Sequence, residues 1–295
     1  MTVFTLDDLT DRDRLDAGHD KPARLAVIGY PVKHSASPRM QQPALDEAGI
    51  DARYVAIEVE PGEVARAFSL MRERGFIGCN VTVPHKFDAL AACDETDGAA
   101  RTLGAVNTVR FDQDATRGSN TDGYGFEEAV REALDVDLAD QTILIAGAGG
   151  GAGGAIAGHC VLSGAKRLVL ANRTVSKIEA LAERLAGKGT EISTVALSSS
   201  DLPGLAQECD LLVNTSSLGL KEDDPSPLDE SCFREGQAVF DTIYQPPSTP
   251  FLRTAERAGA RIANGKNMLL HQGVKAFRFW FPDSSPERAM RSGLG

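Results

Sequence analysis

Residues 142–154 constrain the fold more than any other stretch. Thr142-Ile-Leu-Ile-Ala146 is a short apolar run of the kind buried in a sheet. Gly147-Ala148-Gly149-Gly150-Gly151-Ala152 follows without a break and leads into a helical stretch of small residues from Gly151 to Ser163. A strand, a Gly-x-Gly-x-x-Ala turn and a helix in immediate succession form the phosphate-binding corner of a Rossmann-type domain. Gly147 allows the tight turn, Gly149 lets the backbone approach a pyrophosphate with no Cβ in the way, and Ala152 is expected to pack the helix closely on the strand. Gly150 and Gly151 open the helix, whose first N–H groups face the anion.

The next strand refines the ligand. Arg167 to Ala171 runs into Asn172-Arg173-Thr174, and Asn172 lies 25 residues past Gly147. An NAD enzyme places an Asp or Glu near that point, on the ribose 2′-hydroxyl. No acid stands there. A guanidinium at Arg173 suits a 2′-phosphate, Thr174 can donate a hydroxyl hydrogen bond, and Lys177 one helical turn on adds a second positive charge. NADP rather than NAD is the expected dinucleotide.

From Arg24 onward short apolar runs alternate with amphipathic helical stretches, the signature of βαβ units and largely parallel sheets. A chain of 295 residues exceeds the roughly 100 to 200 residues usual for one domain, so two α/β domains with a cleft between them are expected. Strands are expected at 24–28, 53–59, 78–83 and 105–111 in the first half, and at 142–146, 167–171, 192–196, 211–214 and 238–241 in the second. Helices are expected at 38–48, 63–74, 87–93, 124–134, 151–163, 175–186, 250–258 and 267–281. Ser37 is read as the N-cap of the helix that Pro38 begins. The turn-forming run Asn120-Thr121-Asp122-Gly123 marks the first crossing between domains, and the last helix is expected to return to the first domain. The boundaries are 1–20 for an acidic extension with one short helix from Leu6 to Leu15, 21–122 plus 265–295 for a substrate-binding domain with a mostly parallel sheet, and 123–264 for the Rossmann NADP-binding domain.

A formal charge of −11 disfavours nucleic acid as a partner and points to small-molecule chemistry. The five cysteines are odd in number and without a Cys-x-x-Cys pair, so reduced, mostly buried thiols are expected, with no metal site. The acidic start lacks the form of a secretory signal, and no run approaches the about 18 apolar residues of a membrane span. A cytoplasmic enzyme is expected; a homodimer is compatible with the sequence without being required by it.

Hydride transfer between a carbinol and a carbonyl needs a group that gives or takes a proton at the oxygen. Asn80-Val-Thr-Val-Pro-His-Lys86 is a buried strand whose C-terminal end presents Thr82, His85 and Lys86 at a sheet edge, where ligands of α/β proteins bind. Lys86 with Asp122 makes an ammonium–carboxylate pair suited to proton handling. His34, His85 and His271 compete by residue type alone.

These segments resemble the shikimate dehydrogenase family over most of residues 24–281. Gly29-Tyr-Pro-Val-Lys-His-Ser-Ala-Ser-Pro38 is similar to its substrate-carboxylate segment. Residues 80–86, Gly104-Ala-Val-Asn-Thr108 and Asn120-Thr-Asp-Gly123 are similar to its other active-site segments. Asn172-Arg-Thr174 resembles its NADP signature, and Gly265-Lys-Asn-Met-Leu-Leu-His-Gln272 its C-terminal return. The resemblance implies that Ser35 and Ser37, with Thr82 nearby, bind the substrate carboxylate. Lys86, Asn107, Asp122 and Gln272 would bind ring hydroxyls, with Lys86 and Asp122 the catalytic pair. Tyr244, Gly265 and Met268 would line the nicotinamide and substrate side. The implied activity is the reversible NADP-dependent reduction of 3-dehydroshikimate to shikimate in the aromatic amino acid (chorismate) pathway.

Two departures stand out: Ser119 precedes Asn120 where the family often has glycine or a charged residue, and the arginine frequent after the turn is missing, none occurring before Arg167. The alternatives are a quinate/shikimate dehydrogenase with broader substrate or NAD use and, from a different class, a catalytically silent NADP sensor.

Overall fold

Alternation along the first strands decides how the first sheet is layered. In the computed structural model, which describes residues 2–221 and 223–295, the chain separates into one unit of residues 1–121 and 270–295 and a second of residues 122–269. The first unit contains β1 (Val3–Thr5), α1 (Leu6–Leu9), α2 (Arg12–Asp16), β2 (Ala23–Gly29), α3 (Ser37–Glu47), β3 (Arg53–Glu58) and α4 (Val64–Glu73). It continues with β4 (Gly78–Val81), α5 (Lys86–Ala92), β5 (Glu95–Thr96), α6 (Gly98–Leu103), β6 (Thr108–Phe111) and β7 (Thr116–Ser119). The strand order is β1-β3-β2-β4-β6-β7-β5. β1, β3, β2 and β4 run parallel, while β6 is antiparallel to both β4 and β7.

Paired residues share a face of a sheet and their neighbours point the other way. Ala26, Ile28, Val55, Ile57, Cys79, Val81 and Val109 therefore lie on one face, buried in a core with Val64, Ala67, Phe68 and Met71 of α4. The register puts Tyr54 beside Leu25 and Gly78, and Asn80 beside Val27 and Thr108, on the other face. That face carries polar groups although Tyr54 and Thr108 are buried.

The acidic N-terminal stretch departs from its expected form. Val3–Thr5 adds an edge strand to β3, and the expected single helix is two. Asp11 accepts a hydrogen bond from Asp13 N and so begins a second helix, while Thr10 Oγ1 donates to Asp7 O at the end of the first. Leu9 and Leu15 are fully buried, so this stretch belongs to the first core. β1, β5 and β7 carry no sequence signal because they are short or polar, Thr116-Arg-Gly-Ser119 most of all.

The second unit holds α7 (Asp122–Leu134), β8 (Thr142–Ala146), α8 (Gly151–Leu162), β9 (Arg167–Asn172), α9 (Val175–Leu185), β10 (Glu191–Ala196) and α10 (Leu202–Gln207). β11 (Leu211–Asn214), β12 (Ala238–Asp241), α11 (Pro250–Arg257) and β13 (Arg261–Asn264) complete it. Its six strands are parallel throughout, in the order β10-β9-β8-β11-β12-β13. The order reverses between β8 and β11, the switch point at which doubly wound sheets bind dinucleotides. Both faces are buried: Ile143, Ile145, Leu168 and Leu170 under α7, α8 and α9, and Leu144, Val169, Leu212 and Val239 with the apolar residues of α10 and α11. That burial explains the continuous apolar strands.

The chain then enters α12 (Lys266–Trp280) and ends with α13 (Glu287–Leu294). Met268 belongs to the second core. The part of α12 past Leu269 belongs to the first unit, where Trp280 Nε1 donates to Val109 O at 2.9 Å. The indole occupies space that a side chain on Gly78 would fill. α13 packs on α3.

Candidate active site

The cofactor side is built largely of backbone. Gly147 sits at φ +85°, a left-handed conformation natural only to glycine, and its N–H donates to Ala171 O at 2.8 Å. A Cβ on Gly149 would lie 2.8 Å from Asn172 Nδ2 and 3.0 Å from Lys177 Cβ. Two of the expected NADP-recognising residues therefore stand directly over the turn. Gly150 is the N-cap of α8 and Gly151 its first residue, so the first N–H groups of that helix open onto the turn, as a pyrophosphate requires. Arg173 and Thr174 are exposed at the end of β9, with Thr174 the N-cap of α9.

One expected role moves by a residue. Ala152 is half-buried, and the close helix–strand approach falls at Gly153, where a Cβ would stand 2.6 Å from Thr215 Oγ1 and 2.7 Å from Ala148 Cα. The helix turns its tightest face one position later than the motif suggests.

Beyond β12, Asp241 organises the loop that bears Tyr244. Its carboxylate accepts from Thr249 Oγ1 at 2.6 Å, Ile243 N at 3.0 Å and Asn214 Nδ2 at 3.1 Å, and burial raises its pKa against those three donors. Asn214 Oδ1 in turn accepts from Ser216 N and Ser216 Oγ at 3.0 and 2.7 Å. Gly265 lies against the carbonyl of Thr242, closer than a Cβ would permit. Met268 is 4% exposed within the apolar core.

The substrate side is built of side chains at the C-terminal ends of β2 and β4. Thr82 N donates to Ile28 O and Tyr30 N to Val83 O, which draws the Ser35 loop and the Lys86 loop together. Ser37 is the first residue of α3, and Ala36 rather than Ser37 is its N-cap. The reason lies just before the helix: Ser35 Oγ accepts Ser37 N at 3.3 Å, so the hydroxyl two residues back does the capping. Lys86 begins α5, next to His85, which is wholly buried with Nε2 2.7 Å from Val59 O. The competitor His85 is thus held inside the first unit as a packing residue.

Lys86 O accepts Val106 N, and Asn107 O accepts Val81 N at 2.8 Å, which seats Asn107 beside the Lys86 loop. These bonds also shorten the expected strand at 105–111 to Thr108–Phe111. Asn107 Oδ1 accepts Thr121 N at 2.9 Å, and Asn120 Nδ2 donates to Ala105 O at 2.9 Å. Asn107, Thr121 and Asp122 are all buried, Asp122 at 2% exposure as the first residue of α7. Gln272 lies half-buried on α12.

Three residues of the first unit escape a reading of the sequence as partners of this cluster. Tyr54 Oη donates to Asn80 Oδ1 at 2.7 Å, Asn80 Nδ2 to Thr108 Oγ1 at 3.1 Å, and Thr108 Oγ1 to Asn107 Oδ1 at 3.0 Å. The available signal is a polar residue at 80 in an otherwise apolar strand. All five cysteines are free, with Cys93 half-buried and the rest buried. Burial pushes the Cys93 thiol up to about 12, which leaves it protonated near neutral pH. Among the described residues no helix is long and apolar enough to cross a membrane.

A doubly wound sheet with this glycine turn, joined to a second α/β unit that gathers hydroxyl, amide and ammonium groups at its strand ends, defines a dinucleotide-dependent oxidoreductase. Residues 27–109 match the shikimate dehydrogenase substrate binding domain and residues 128–219 the shikimate/quinate 5-dehydrogenase domain. The chain belongs to the shikimate dehydrogenase family. It is 38% identical to the shikimate dehydrogenase (NADP(+)) of Methanopyrus kandleri, over 92% of this chain and 94% of that protein. With the protein of the same name from Geobacillus kaustophilus the identity is 41%, over 86% and 91%. Among solved structures, the shikimate 5-dehydrogenase of Thermus thermophilus in complex with NADP(H) and shikimate superposes with a TM-score of 0.79 at 36% identity, over 92% of this chain and 99% of that one.

Proposed function

We propose that the chain catalyses the reversible NADP-dependent reduction of 3-dehydroshikimate to shikimate, a step of the aromatic amino acid pathway. The observation that carries this reading is the gathering of Ser35, Ser37, Thr82, Lys86 and Asn107 around the ends of β2 and β4 in a chain whose other unit sets Asn172 and Lys177 over Gly149. Hydroxyl donors suit a carboxylate, and amide, ammonium and carboxylate groups suit a polyol.

Ser35 and Ser37, with Thr82, hold the substrate carboxylate. Lys86, Asn107, Asp122 and Gln272 hold the ring hydroxyls. Lys86 delivers the proton to the C3 oxygen, directly or through a water that it orients, and Asp122 fixes the hydroxyl groups as the acceptor of the pair. Gly147, Gly149, Gly150 and Gly151 give the pyrophosphate a turn without side chains, while Asn172, Arg173, Thr174 and Lys177 take the 2′-phosphate. Tyr244, Gly265 and Met268 belong to the nicotinamide side, Met268 from within the core. The reduced nicotinamide, when bound, is the source of the hydride. The reading carries a cytoplasmic location.

Steady-state kinetics with shikimate and with quinate, each with NADP and NAD, test it. The highest kcat/KM is expected for shikimate with NADP. Faster turnover of quinate with NAD would replace this reading by that of a quinate enzyme. Tight NADPH binding with no reduction of dehydroshikimate would replace it by that of a silent sensor.

A further inference from the structure

The face of the first sheet opposite its apolar core carries one row of polar side chains, and the direction of each hydrogen bond in it is fixed. Asn80 Nδ2 faces two acceptors, Thr108 Oγ1 at 3.1 Å and the carbonyl of Asn107 at 3.4 Å. A carbonyl only accepts, so the amide nitrogen must lie on that side and Asn80 Oδ1 on the other, toward Tyr54. Tyr54 Oη, 2.7 Å from Oδ1, therefore donates its single proton to Asn80. Its oxygen is left as an acceptor, and the Ser37 hydroxyl hydrogen-bonds to it.

On the far side the order continues. Thr108 Oγ1 receives from Asn80 and donates to Asn107 Oδ1 at 3.0 Å, which also receives Thr121 N. Donation thus runs from Ser37 to Tyr54, Asn80, Thr108 and Asn107. The row crosses four adjacent strands, with the tyrosine ring spanning β2 between β3 and β4. Gly78 makes the crossing possible, since its missing side chain admits Trp280, whose ring centroid lies 6.3 Å from that of Tyr54. Tyr54 is 5% exposed, and burial, with Cys79 adding to it, raises its pKa well above the usual value, so it stays a neutral hydroxyl.

We propose that Tyr54 is a positioning residue for substrate binding, its hydroxyl holding Ser37 at a set distance and orientation from Asn107. The inference rests on the proposed roles of Ser37 at the substrate carboxylate and Asn107 at a ring hydroxyl. On that footing the row is a ruler between the two polar ends of the substrate. It sets which ring acids fit, and Tyr54 itself does not touch the substrate. The hydroxyl at 37 is held by the tyrosine oxygen until a carboxylate takes its proton.

Tyr54→Phe keeps the ring and its packing on Trp280 and removes only the hydroxyl, leaving Asn80 Oδ1 without its donor. Loss of one buried hydrogen bond of this kind raises the KM for shikimate about tenfold. Over the same comparison kcat stays within about twofold, as expected when only substrate binding is impaired. The KM for NADP stays at its wild-type value. Because Tyr54 acts through Ser37, the double variant Tyr54→Phe/Ser37→Ala should have the KM of Ser37→Ala alone. Thermal unfolding of each variant is followed alongside, since a merely structural role would lower the melting temperature and the active fraction, and so kcat, without moving KM. An unchanged shikimate KM in Tyr54→Phe, a fall confined to kcat, or effects that multiply in the double variant would each overturn the role of Tyr54. Wild-type protein without shikimate turnover would overturn the functional reading and this inference together, whereas active wild type with an unaltered variant overturns the inference alone.

Discussion

The two sheets solve the problem of ligand recognition in opposite ways. At the edge of the second, parallel sheet, recognition is mostly backbone: a left-handed glycine at 147, a bare Cα at 149 and the open start of α8. At the edge of the first, mixed sheet it is side chains, each on a different strand or loop and each held by another buried polar group. A backbone cradle needs a contiguous motif and accepts any ligand with the right charge. A side-chain row needs residues far apart in sequence, and it discriminates shape. This division matches a cofactor shared by many enzymes on one side and a particular substrate on the other.

The largest test of the contrast is Lys86→Ala. Removing a proton-transferring group costs on the order of a thousandfold in kcat, and NADPH affinity, measured by fluorescence titration, should stay as in wild type. Parallel loss of NADPH binding would break the separation of roles between the two units. Gly149→Val probes the opposite side. A branched side chain placed 2.8 Å from Asn172 Nδ2 forces repacking that costs about 1 to 3 kcal/mol. An NADP KM raised about thirtyfold, with shikimate affinity retained, is the expected result; an unchanged cofactor KM would show that the turn does not receive the phosphates.

Trp280→Phe gives the smallest effect and sharpens the contrast in stability. It strips the donor from Val109 O, a loss of about 1 to 3 kcal/mol for a buried carbonyl. Calorimetry should show the melting of the first unit lowered by a few degrees, about 2 to 4 °C per kcal/mol for a body of this size. NADP affinity should be unaffected, and a fall in it would mean that the tryptophan serves the second unit as well.

The same contrast governs what the sequence discloses. The glycine turn and the strand to Asn172 are legible because every determinant lies within about one βαβ unit of the next. Family resemblance supplies Ser35, Ser37, Lys86 and Asp122 as points, without the bonds that hold them. The Tyr54–Asn80–Thr108 row stays hidden because its members are far apart along the chain and meet only through strand register. Ser37 passes for a cap for a local reason, since Ser35 two residues earlier takes that bond. The edge strand Val3–Thr5 escapes notice because three residues of ordinary composition carry no periodicity. Ala152 and Gly153 differ by one position on a helix of small residues, and only the packing against Thr215 separates them.

The fit of Trp280 into the place left by Gly78 also bears on how the polypeptide matures. Residues 122–269 form an uninterrupted segment, so the second sheet can close as soon as it leaves the ribosome. The first unit, although most of it is made earlier, still lacks α12 and the indole at that moment. Until those last residues emerge, the polar face bearing Tyr54, Asn80 and Thr108 lacks part of its cover. The nascent chain thus acquires its cofactor half before its substrate half, and that interval is when protection by a chaperone matters most.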